Sequence, residues 1–140
     1  MEARVQIEFL ETGSADCPLV RIYGTEADEF AALLDVLRNV ATAEDKSTTL
    51  HDLPRFNAVS GCQLRIAASS QDIGVRQGVG MDFGWTMTPP KWLLVAGLVE
   101  PFASSPKIGE FQWLAGPEAR YGLNIGTIGV LLSFSKNGRW

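Results

Sequence analysis

The chain opens on a strict alternation. Val5, Ile7 and Phe9 are apolar, and Arg4, Gln6 and Glu8 between them are polar. This is the period-two signature of a strand with one face in the core and one in water. The polar run at residues 11–16 turns the chain, and a second strand is expected over residues 19–23, with Val20 and Ile22 on one side and Arg21 and Tyr23 on the other. Sequential strands with a short connection most often pair as an antiparallel hairpin.

The period then changes from two to 3.6. Phe30, Leu33, Leu34, Leu37, Val40 and Ala41 form one helical stripe, with Thr25 placed to cap the free amides. Asp28, at the third helical position, stands in for the usual Glu of a capping box. Glu26, Asp28 and Glu29 sit at the positive end of the helix dipole, with Arg38 near the other end. The helix is expected to fade between residues 42 and 46. A short strand at 47–50 precedes a loop through Asp52, Pro54 and Asn57. Over 61–68, Cys62, Leu64 and Ile66 alternate with Gln63, Arg65 and Ala67. Residues 69–72 read as a hairpin turn. The sheet continues through 73–76 and 81–87, with a turn or bulge at 77–80.

A second helix starts near Thr88, with Pro89 and Pro90 in the first turn, where their missing amide hydrogens cost nothing. Trp92, Val95, Leu98, Val99 and Phe102 share one broad face at about 100° per residue. Leu93 falls well off that face and Leu94 lies at its edge. Pro101 is expected to stop the helix. Strands at 110–114 and 125–134 follow, separated by a loop, and Asn137-Gly138 turns the final Arg139-Trp140 back. No internal repeat or interdomain linker is visible. The order β-β-α-β-β-β-α-β-β predicts a single α+β domain over residues 1–140. Its expected architecture is a mainly antiparallel, curved sheet of about six to eight strands with both helices packed on one face.

Charge narrows the range of partners. The 140 residues carry a net charge of −4 and a pI of about 4.9, with Lys and Arg scattered along the chain, which argues against a nucleic-acid binder. The longest apolar run, 92–99, falls far short of the roughly 20 residues that cross a bilayer. Met1-Glu2-Ala3-Arg4 does not read as a leader. Two cysteines make no disulfide framework. The expectation is a soluble, cytoplasmic domain without a membrane partner.

Candidate chemistry is sparse. Cys17, His51 and Cys62 are weak candidates for a soft-metal set, with Asp16 or Asp52 as a fourth ligand, but they lack the Cys-x2-4-Cys or His-x3-5-His pair of structural zinc sites. Cys62 lies in the apolar register of Leu64 and Ile66, as a buried thiol would. Cys17 beside Pro18 lacks the helix N-terminus or cationic cluster that activates a nucleophile. Glu100 has no identifiable acidic partner. The glycines at 74–80 and 122–129 match neither a P-loop nor a dinucleotide fingerprint. No cofactor is implied.

Two groups of residues remain. Arg21, Arg65 and Arg76 lie on strands and would hold an anionic ligand if two of them met in one cavity. Aromatic residues concentrate in the second half, and Leu93, with Leu94 and Trp92 beside it, needs a cover that a twofold dimer would supply. The leading expectation is a non-catalytic binding domain that self-associates as a homodimer, with a protein partner or small ligand second. The alternative is a small-molecule binder or an enzyme using carboxylates and arginines in a sheet pocket.

Overall fold

In the computed structural model, which describes residues 4–13, 15–107 and 109–134, the opening alternation becomes β1 (Val5–Leu10). It pairs antiparallel with β2 (Leu19–Gly24), Ile7 opposite Ile22 and Phe9 opposite Val20. Helix α1 (Ala27–Val40) buries Phe30, Leu33, Leu34, Leu37 and Val40. Its N-terminus is closed one residue later than the capping pattern predicts. Glu26 is the cap residue, and the buried Glu29, rather than Asp28, accepts from the Thr25 amide (3.0 Å), the Thr25 hydroxyl (3.1 Å) and the Glu26 amide (2.9 Å). Three donors on one oxygen outweigh the single bond a Thr25 cap would make.

Strands β3 (Ser47–Thr49), β4 (Phe56–Ala58), β5 (Gln63–Ala68), β6 (Gly74–Gln77) and β7 (Asp82–Met87) follow, then α2 (Pro89–Ser104), β8 (Phe111–Ala115) and β9 (Gly129–Phe134). The chain is α+β with two helices, but the strands form two mixed sheets instead of one mainly antiparallel sheet. Neither sheet closes. One has the order β4-β1-β2-β9-β8 and the other β3-β5-β7-β6. The pairs β1–β4, β2–β9 and β5–β7 are parallel. Two further expectations change. Asn57 lies in a strand, β4, whose alignment beside β1 is reinforced by the Asn57 amide donating to Gln6 Oε1 at 2.7 Å. Pro101 does not end α2. The helix runs to Ser104 because Phe102 is buried against Phe30 (ring centroids 5.4 Å apart), which holds the last turn in place, and the Ser105 amide donates to the Pro101 carbonyl. The turn expected at Asn137-Gly138 lies outside the described residues.

The architecture contains a repeat that the amino-acid identities hide. Each half is a hairpin, a helix and a second antiparallel pair, β1-β2-α1-β3-β5 and then β6-β7-α2-β8-β9, with β4 inserted between β3 and β5 and matched by no strand among the described residues of the second half. The registers coincide. Leu19 opposite Gly129 in the parallel β2–β9 pair corresponds to Asp82 opposite Gln63 in β7–β5. Ser47 opposite Ala67 corresponds to Phe111 opposite Ser133. The buried helix positions also match, as Phe30/Trp92, Leu33/Val95, Leu34/Ala96, Leu37/Val99 and Val40/Phe102, each pair 62 positions apart. Each half places its first hairpin in one sheet and its second antiparallel pair in the other. The inner faces of both sheets and the two packed helices therefore share one core, tied together by Phe9–Phe83, Trp85–Trp92 and Phe30–Phe134 contacts at 4.6, 4.7 and 5.9 Å between ring centroids. No helix among the described residues is long and apolar enough to cross a membrane.

Candidate functional site

The three strand arginines part company. Arg21, on the outer face of the five-stranded sheet, is buried. Its Nη2 donates to Glu8 Oε1, and its guanidinium lies 4.2 Å from the centroid of the Tyr23 ring. Ion pairing and the ring face together hold this cation inside the protein. Burial and the Glu8 charge push the Tyr23 hydroxyl above its ordinary pKa, against the opposing pull of Arg21.

Arg65 and Arg76 come together on the other sheet. Both stand directly opposite Gly84, Arg65 across the parallel β5–β7 pair and Arg76 across the antiparallel β6–β7 pair. Residues directly opposite in a ladder share a face, so the two guanidinium arms flank Gly84 on the outer surface. Their Cα atoms are about 10 Å apart, two strand spacings. Thr49, opposite Arg65, extends the row to Thr49–Arg65–Gly84–Arg76. Both arginines are exposed, and neither makes an ion pair among the described residues. A Cβ built on Gly84 would meet no atom within 4 Å, so the floor between them is open.

The helix surface splits as well. Trp92 leaves the group proposed for an interface: it is fully buried, its ring against Trp85 and its indole N–H donating to the Ala67 carbonyl at 2.9 Å. The heptad stripe that carries Val95 and Val99 carries Trp92 into the core. Leu93 and Leu94 remain outside, 58% and 42% exposed. With exposed Gly97, half-buried Leu98 and exposed Pro101 they form an apolar face along α2. The matching positions of α1, Ala31, Ala32, Asp35, Val36 and Asn39, include two exposed polar residues. Arg38 and Glu100 occupy equivalent places in the two helices and pair with each other at 3.2 Å beside this face.

The thiols and the imidazole differ in their surroundings. Cys62 is fully buried, and burial with the nearby Glu8 charge pushes its thiol up to about 11, which keeps it protonated at neutral pH. His51 accepts the Leu64 amide on Nδ1 at 3.1 Å, a bond that pins the turn following β3 onto β5. Cys17, half-buried, lies in the loop before β2. No group of three or more His, Cys, Asp or Glu side chains among the described residues is arranged to hold a metal ion. Compared with protein-family models, curated proteins and solved structures, the chain finds no match.

Proposed function

We propose that this protein is a non-catalytic binding domain that self-associates through the outer face of α2. The observation that carries the reading is the contrast between the two equivalent helices. The fold requires the same buried stripe on each, and α1 shows that the opposite face can be polar at Asp35 and Asn39 without loss of the architecture. On α2 that face holds Leu93, Leu94, Gly97, Leu98 and Pro101, where leaving two leucines in water serves no need of the folded monomer.

A second copy is the occupant that suits this face. Projecting leucines lie three to four residues from Gly97, whose Cβ position has no atom within 4 Å. Large and small residues at that spacing make a helix face complementary to itself when two copies meet about a twofold axis. The Arg38–Glu100 pair supplies a charged rim.

Sedimentation equilibrium over roughly 1–200 μM tests the reading, a range that brackets micromolar association. The wild-type chain is expected to pass from monomer to dimer, and L94D, which changes an exposed position, is expected to remain monomeric and to share the wild-type melting curve at dilutions where the wild type is monomeric. A wild-type protein that stays strictly monomeric across the range overturns the proposal, as does an L94D chain that still dimerises.

A further inference from the structure

We propose that the outer face of the four-stranded sheet binds a compact phosphate group, seated on Gly84 between Arg65 and Arg76. This site is independent of the α2 face and stands or falls without it.

The duplicated architecture supplies an internal comparison. The row Thr49–Arg65–Gly84–Arg76 corresponds, position by position, to Trp113–Leu131–Arg21–Glu8 on the five-stranded sheet. There the row is electrically complete, because the central cation Arg21 has its anion, Glu8, on the neighbouring strand. In the second row the place of Glu8 is taken by Arg76 and the place of Arg21 by a glycine. Two cations flank an unfilled position, and the anion present in the first row is missing from the second. A ligand supplies it.

The chemistry of the seat selects the anion. One guanidinium fork satisfies both oxygens of a carboxylate. Two cations flanking one position are only half neutralised by a carboxylate, whereas a phosphate monoester brings a charge near −2 and three terminal oxygens that spread toward both arms. Thr86, on the same face of β7 as Gly84, adds a neutral hydroxyl. The glycine allows a tetrahedral group to sit down on the sheet backbone. Asp82, also on this face of β7, and the net charge of −4 oppose a long polyanion, so the ligand is inorganic phosphate or a small phosphate ester and not a nucleic-acid backbone.

Titration of the 15N-labelled full chain with inorganic phosphate, and separately with phenyl phosphate, at ionic strength held constant with potassium chloride, tests the assignment. Saturable shifts are expected at the Gly84 amide and at the Arg65 and Arg76 Nε–H signals, with Arg21 unmoved. Tighter binding of phenyl phosphate identifies an ester as the better ligand, and equal or tighter binding of inorganic phosphate identifies the free anion. R65Q and R76Q are each expected to weaken binding about tenfold, and R120Q, at an exposed arginine elsewhere, to leave it unchanged. G84V fills the seat where there is room for a side chain, so it is expected to abolish the shifts while the protein stays folded. Shifts that rise linearly without saturation, that survive G84V, or that are reproduced by chloride alone overturn the proposal. A single-stranded oligonucleotide that binds these signals more tightly than either phosphate overturns it too.

Discussion

Among the described glycines, Gly116 is the one where an added Cβ would come nearest another atom. It follows β8 directly, has φ +89°, and a Cβ there would stand 2.4 Å from the Gly129 Cα and 2.8 Å from the Gly129 nitrogen at the start of β9. Gly116→Ala meets two penalties. Holding an alanine in the left-handed region costs about 1–2 kcal/mol. The second is a collision with backbone, which no side-chain rotation relieves; separating β8 from β9 to admit a methyl group costs about 1–3 kcal/mol more. Gly126 is the control. Its φ is +83°, but its nearest neighbour would be the Val75 nitrogen at 3.6 Å, an ordinary contact. Gly126→Ala therefore meets only the strain. The expected difference between the two variants is about 2 kcal/mol, which moves a urea midpoint by roughly 1 M at a slope of about 2 kcal/mol/M. Urea unfolding followed by tryptophan fluorescence measures both midpoints and checks that the slopes agree. Equal midpoints for the two variants would refute the reasoning, because the backbone approach at Gly116 would then carry no cost.

Cys62 makes stability depend on alkaline pH. Its folded-state pKa rises from 9.0 to about 11, so the native state holds a proton that the unfolded chain gives up. Stability from this group is complete below about pH 9 and falls as pH rises toward 11, by on the order of 2–3 kcal/mol. Tyr23, also raised, acts in the same direction. Urea midpoints at pH 7.5, 9 and 10.5 should fall more steeply for the wild-type chain than for Cys62→Ala, and parallel profiles would contradict the assignment. Glu29→Ala removes the acceptor of three hydrogen bonds at the start of α1; the expected cost is about 1–2 kcal/mol in chemical denaturation, and a loss under 0.5 kcal/mol, roughly the level of an ordinary surface change, would argue against it.

The local periodicities carried much of this fold. The helical spacing of Phe30, Leu33, Leu34, Leu37 and Val40 and the alternation of Leu64 and Ile66 both identify buried faces that the structure confirms. Sheet membership was hidden because it rests on pairings between distant parts of the chain. Nothing near Leu19 specifies that Gly129 lies beside it. The three residues of β4 are too few to show a period, and Pro101 reads as a stop until Phe102 is seen to be buried against Phe30. The duplication is not visible in the amino-acid identities because it preserves burial and register and not side-chain identity: Trp92 takes the place of Phe30, and Gly84 that of Arg21. For the same reason the polar register of Arg65 and Arg76 was legible on each strand, but their meeting across Gly84 depends on the alignment of β5 with β7.

The exchange of antiparallel pairs between halves bears on how the molecule is made. During synthesis β2 emerges early, yet the partner on its far side, β9, ends the described chain. The first half can close its opening hairpin and wind α1, and the four-stranded sheet has all its strands once β7 is made, but the five-stranded sheet stays unfinished until β8 and β9 arrive. Cutting the chain at its midpoint would yield no independent lobe, since each fragment would carry two half-sheets with an apolar side uncovered. Closing the five-stranded sheet is accordingly the step that engages the two halves together.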